Sequence, residues 1–273
     1  MQRIRLIRNN VLLIFLLINL TGFAQLGNFK LINSFPGKYD MISIDELGNL
    51  YSIQGNMIKK YNQDGKVLSN YSNYLAGDIS FIDTGDPFKI LIYYQEFSQI
   101  EILDNTLSPV NKVDLSALGY DLTSLACASY QNGFWIFIPQ FSELIRFNQY
   151  LEITDRTGNL YKATGMEVNP NYMLERNNVL YLNNPEFGIM VFDKFGSYFR
   201  TIAIKKLSNF QILNKMLAVN DSSEIRIIDP KTLEENIIKL PEDKVLQAKL
   251  LYSGNGKKLF ILNSKGIRIY SAK

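Results

Sequence analysis

Apolar residues return along this chain in short runs and not at helical spacing. One pattern recurs six times: an apolar residue, two further positions, a large apolar residue, then usually a turn-former. It reads Ile58-Lys59-Lys60-Tyr61-Asn62, Ile100-Glu101-Ile102-Leu103-Asp104, Leu144-Ile145-Arg146-Phe147-Asn148, Ile189-Met190-Val191-Phe192-Asp193, Ile225-Arg226-Ile227-Ile228-Asp229 and Ile267-Arg268-Ile269-Tyr270-Ser271. The steps between starts are 42, 44, 45, 36 and 42 residues, which is the length of one four-stranded propeller blade.

Each copy sits in the same company. A β-rich run precedes it, such as Leu50–Ile53, Phe134–Phe137 or Leu259–Leu262, and turn residues such as Leu47-Gly48-Asn49 or Asn132-Gly133 come before that. A first strand opens the unit, as in Met41–Ile44 and Ile79–Ile82. A hairpin turn such as Gln63-Asp64-Gly65 and a fourth strand such as Asn236–Leu240 close it. Short β-branched and aromatic runs bounded by Gly, Asn, Asp and Pro predict strands and hairpins. No window of 11–18 residues beyond the N-terminal segment holds a helical period. The sixth unit stops after its third strand, and Phe29–Phe35 is a spare strand ahead of the first. Pairing the two closes a ring and removes two raw edges. The prediction is an all-β chain: one six-bladed β-propeller of four-stranded antiparallel blades over residues 25–273, with its last blade closed by the N-terminal strand. Residues 148–172 are long for one connection, and Thr157-Gly158-Asn159 is a candidate turn within them.

Asp45-Glu46-Leu47-Gly48-Asn49-Leu50-Tyr51, with Ile58-Lys59-Lys60-Tyr61-Asn62-Gln63-Asp64-Gly65, resembles the turn and second strand of six-bladed propellers of the NHL, TolB-like and YncE-like kind. That resemblance implies the fold and says little of activity.

Residues 1–24 run differently. Arg3, Arg5 and Arg8 precede an apolar run from Val11 to Leu20, broken only by Asn19, and Gly22 and Ala24 follow. Basic, apolar and small-residue regions in that order predict a secretory signal peptide cleaved after Ala24. The alternative is a short uncleaved anchor. The segment looks like the signals of Gram-negative envelope proteins, which implies the periplasm or the outer membrane. No transmembrane span is expected in the mature chain, although association with a membrane complex is compatible with it.

Charge and chemistry narrow the function. The chain has 29 Lys+Arg against 26 Asp+Glu. Without the three signal arginines the body is neutral, which argues against nucleic acid as a partner. The chain has no histidine, so Ser-His-Asp and Cys-His catalysis and His-ligated metals are excluded. Cys127, the only cysteine, lies in an apolar stretch and reads as a buried structural thiol. No phosphate-binding Gly-rich loop, nucleophile elbow or EF-hand loop is present. No catalytic residue and no cofactor is assigned.

Asp40, Asp78 and Asp121 each precede a first strand. They are the candidates for a calcium site of the type used by lactonases resembling the SMP-30 and paraoxonase families, although Asp is also a common loop residue before strands. Phe97, Phe141 and Phe187 sit among polar residues in the second-to-third-strand loops of three successive blades. They are the candidates for a protein-binding patch, although each could instead seal the gap to a neighbouring blade. The function expected is a non-catalytic scaffold of the bacterial cell envelope that binds a protein partner through one face of the disc. The alternatives are a small-molecule or glycan binder at the axial pocket and a calcium-dependent hydrolase.

Overall fold

The computed structural model describes residues 29–254 and 256–272. The predicted signal segment lies outside them. Six four-stranded antiparallel sheets follow one another around an axis. Blade 1 contains β2 (Met41–Ile44), β3 (Leu50–Gln54), β4 (Met57–Tyr61) and β5 (Val67–Ser72); blade 2 contains β6 (Phe81–Asp86), β7 (Lys89–Tyr94), β8 (Gln99–Leu103) and β9 (Pro109–Asp114). Blade 3 contains β10 (Leu125–Ala128), β11 (Phe134–Ile138), β12 (Glu143–Phe147) and β13 (Ile153–Arg156); blade 4 contains β14 (Tyr172–Arg176), β15 (Val179–Asn184), β16 (Gly188–Asp193) and β17 (Tyr198–Ile202). Blade 5 contains β18 (Gln211–Leu213), β19 (Met216–Asn220), β20 (Glu224–Ile228) and β21 (Glu235–Lys239). Blade 6 joins β22 (Gln247–Ser253), β23 (Gly256–Asn263) and β24 (Gly266–Ala272) to β1 (Lys30–Pro36), in the order β1-β24-β23-β22.

The recurring turn-former at the end of each third strand has one structural job in the first four blades. The Oδ1 atoms of Asn62, Asp104, Asn148 and Asp193 each accept backbone N–H groups two and four residues on, as in Tyr150 and Glu152 for Asn148. Each turn carries a left-handed residue three positions on: Gly65, Leu107, Leu151 and Gly196. A bulge follows in the ladder to the fourth strand. This is the three-to-five-residue hairpin built on a short polar side chain. At two of the four places a leucine takes the left-handed conformation, and its side chain packs between blades in exchange.

Strand residues alternate between two neighbours, and both are apolar. From β7, Ile90, Ile92 and Tyr94 pack toward blade 1 with Tyr51, Ile53 and Ile58, whereas Leu91 and Tyr93 pack toward blade 3 with Ala126, Phe134 and Ile136. A sheet covered on both faces needs continuous apolar strands, hence runs such as Ile90-Leu91-Ile92-Tyr93-Tyr94. The core is therefore six apolar layers, one at each joint between blades. Cys127 is fully buried in the layer between blades 3 and 4.

Residues 148–172, long for one connection, hold β13 of blade 3 and then a turn at Gly158 (φ +65°) and one short helix, α1 (Leu160–Thr164), on the way to blade 4. Asn159 caps it, accepting the Lys162 N–H, and Gly165 ends it in the left-handed region. Five residues are too few to show a period in the sequence.

Ring closure rests on more than the β1–β24 ladder. The Asn33 side chain donates to the Asp64 carbonyl in blade 1, and Phe35 lies 4.6 Å from the Tyr61 ring. Removal of residues 29–36 should expose the β24 edge, lower the melting temperature by about 10 °C or more and produce aggregates in size-exclusion chromatography. Unchanged melting would mean that β1 does not hold the ring.

Candidate functional site

Two zones lie at opposite ends of the wheel. The first is the face made by the blade-to-blade connections and the second-to-third-strand loops. In blades 2 and 3 these loops are four residues long, 95–98 and 139–142, and each closes by an N–H to C=O bond from its fourth residue to its first. Phe97 and Phe141 occupy the third position and are about half exposed, at 50% and 53%. In blade 4 the loop has three residues, because Asn184 pairs with Gly188. Phe187 then falls one place later relative to its turn, its N–H bonding the Asn184 carbonyl, and it is half-buried. A one-residue offset turns a side chain toward the other side of a β-ladder. The spacing was visible in the sequence, since Phe97 and Phe141 stand three places before their patterns and Phe187 two.

Neighbouring connections join this face into a band. The Phe97 ring would touch any Cβ at Gly77 (3.0 Å), so it leans on the connection that carries the exposed Tyr74 and Leu75. The Ser98 hydroxyl donates to the Asp121 carbonyl, next to exposed Leu122. The Asn159 side chain donates to the Phe141 carbonyl, which brings α1 and its exposed Tyr161 alongside.

The carboxylate candidates lie at this same end. Asp40 accepts the Gly55 N–H at 2.6 Å, and Asp78 approaches the same glycine, 3.0 Å from the place of a Cβ. Asp121 takes part through its backbone carbonyl. All three are exposed. Among the described residues no three His, Cys, Asp or Glu side chains are grouped as metal ligands. Asn171, at the comparable place in blade 4, donates to the Leu207 carbonyl and is part of a joint between blades.

The second zone is an axial cavity of about 540 Å³ at the other end, where the inner strands of blades 1, 2, 4, 5 and 6 finish. Sequence reading missed Asp83, Arg176 and Lys249, which are far apart in the chain, and took the lining residues Asp45 and Glu46 only as part of the first blade's motif. Asp83 of blade 2 pairs with Arg176 of blade 4 at 2.6 Å and also accepts the Gly85 and Ala128 N–H groups. Gly85 leaves room for the guanidinium: a Cβ there would lie 2.2 Å from the Arg176 Cζ. Burial opposes the Arg176 charge, but Asp83 more than restores it, so the guanidinium stays above its ordinary range. Lys249 of β22 also lines the cavity. Among the described residues no carboxylate lies within 4.0 Å of its amine. Burial, then the nearby Arg176 charge, pushes that amine down to about 8.

The motif of the first blade proves to be self-contained. Asp45 Oδ1 accepts the Asn49 N–H, its Oδ2 accepts the Asn49 amide and the Tyr51 hydroxyl, and Gly48 supplies the left-handed turn between them. Burial, then the Asp45 charge, raises the Tyr51 hydroxyl. The motif residues therefore act as a structural brace beside the cavity.

Comparison with solved structures places the chain among β-propellers. It is similar to the WD40 domain of Neurospora crassa Pan2 (8% identity, 89% of this chain and 95% of that one, TM-score 0.56). It is similar also to a chain of the mitotic checkpoint complex (8%, 91% and 92%, TM-score 0.58). A third neighbour is the extracellular domain of the putative one-component system BT4673 from B. thetaiotaomicron (13%, 86% of this chain and 33% of that one, TM-score 0.53). No family model matches the chain, and no curated protein matches it significantly. The fold is that of a six-bladed β-propeller with WD40-type neighbours.

Two outcomes test the cavity's electrostatics. Arg176→Met strands the buried Asp83 carboxylate and should cost about 3–5 kcal/mol in urea denaturation, much of it recovered by adding Asp83→Asn; a small loss in the single variant would refute the pairing. For Lys249, the folded value of about 8 against the ordinary 10.5 means that the unfolded chain binds the proton more often between those values. Stability should therefore rise with pH from about 8 until near 10, where Tyr51, Tyr93 and Tyr94, held un-ionised by burial, oppose it. Denaturation at pH 7.5 and 9.5 should show a rise roughly 1 kcal/mol smaller in Lys249→Met, the full shift being discounted for solvent in the cavity.

Proposed function

We propose that this chain is an exported, non-catalytic propeller of the Gram-negative envelope that binds a protein partner through the face carrying Phe97 and Phe141. The observation that carries this reading is the band of exposed apolar side chains on that face, which runs from Tyr74 and Leu75 through Phe97 and Leu122 to Phe141 and Tyr161. An apolar strip among polar loop residues has the composition of an interface core. The neutral body and the lack of histidine favour a docking role over chemistry. The neighbours support the reading at the level of kind: one is a chain of a mitotic checkpoint complex and another an extracellular domain. Residues 1–24 supply the export signal in this reading. Among the described residues no helix is long and apolar enough to cross a membrane.

The test compares the full-length chain with a Phe97→Ser, Phe141→Ser variant, both purified from the native envelope with an affinity tag. The wild type should carry a stoichiometric partner and the variant should lose it, with melting temperatures within about 3 °C of each other because both rings are half exposed. A Phe199→Ser variant on the outer strand of blade 4 should retain the partner. Equal recovery with all three chains would refute the assignment of the face.

A further inference from the structure

The axial cavity stands apart from the docking face, and its lining is built in a way that docking does not explain. Lys249 lines a space shared with the Arg176 guanidinium, and its amine has no carboxylate partner among the described residues. Placing a cation in partly desolvated surroundings without a counter-charge is unfavourable. An ordinary structural solution would be a nearby Asp or Glu.

The acids at the cavity are committed elsewhere or lie at its rim. Asp83 is held by Arg176 and two N–H groups, and Asp45 by Asn49 and Tyr51. Glu46 is exposed, and Lys215 adds a third positive charge to the lining. Arg176 is held in position: its Nη1 donates to Asp83 and to the Glu175 carbonyl and its Nη2 donates to Asp83, which leaves the Nε–Nη2 edge open, and Gly85 leaves the space in which the group lies. Its Nε has no partner among the described residues.

We propose that the axial cavity binds a small organic anion, a carboxylate or phosphate compound, whose charged group is held between the Lys249 ammonium and the open edge of the Arg176 guanidinium. A fixed planar fork beside a point charge is a combination suited to an oxyanion. The volume of about 540 Å³ is that of a site for a small molecule and exceeds the needs of a single water. Tyr172 and Tyr252 in the wall offer ring surface to the rest of the ligand. Two converging cations make the cavity unfavourable to a metal ion.

This inference is independent of the protein-docking reading, because the two zones lie at opposite ends of the axis. It is tested by isothermal titration of the full chain with phenyl phosphate and, separately, with citrate, at pH 7.0 and 9.5, both anions being almost fully ionised at either pH. At least one probe should bind at pH 7.0, and which one binds tells phosphate from carboxylate chemistry. Affinity should fall at pH 9.5, where Lys249 has lost its proton. Lys249→Met should weaken binding at least tenfold and abolish the difference between the two pH values, while Lys249→Arg should retain most of the affinity. Lys249→Met should melt no lower than the wild type, which shows that lost binding is not lost fold. Absence of binding by both probes, or equal binding by Lys249→Met, would overturn the proposal.

Discussion

The wheel depends on how neighbouring inner strands are tied. Each sheet ends at the axis with a free strand edge, and backbone groups there must find partners outside the ladder. Side chains make the joints. Thr84 donates to the Ile44 carbonyl, joining blades 1 and 2, and Asp83 accepts the Ala128 N–H, joining blades 2 and 3. Glu175 takes Ser129 and Tyr130, and Asn171 and Asn183 converge on the Leu207 carbonyl. Gln211 exchanges two bonds with Leu250, and Gln247 accepts the Ile42 N–H to complete the circle. Six joints of this kind fix the blades' angles, and the apolar layers fill the wedges that remain.

Farther from the axis, polar clasps repeat the same logic at larger scale. Trp135 and Ser129 both donate to Glu175, while Arg146 bonds Ser129 and Asp155 and lies 3.7 Å over the Tyr130 ring. Glu101 accepts from Tyr71 and Asn73 across the joint between blades 1 and 2, and from Tyr94 of its own blade. Satisfied networks of this kind cost little and fix one arrangement, whereas a broken member leaves a buried polar group unpaired. Burial, followed by the Glu101 contact, pushes the Tyr71 hydroxyl up to about 12.

The architecture was legible in the sequence because one physical demand repeats at every blade. Third strands needed apolar residues on both faces, which all six copies display, and a turn-former at the end, which the first five display. The Phe97 and Phe141 loops were legible for the same reason, since loop positions follow the strand count. The half-burial of Phe187 came from a loop one residue shorter, a detail that the spacing contained but composition did not weigh. The axial charges were not legible. Asp83, Arg176 and Lys249 are neighbours only after three blades have been placed around an axis, and no local spacing links them. Gly85 was the one local signal, a glycine inside a strand marking a close approach by another group. Short helix α1 escaped because five capped residues form without any periodic face.

The pairing of the first described strand with the last sets an order of events during folding. Lys30 meets Ser271, so β1 has no partner until every blade between them has been delivered. Contacts of such separation slow folding, since the closing loop is entropically costly. In the meantime Leu31 and Ile32 form part of an unpaired strand. A chaperone that shields this leading segment would therefore influence yield more than one acting on any interior blade.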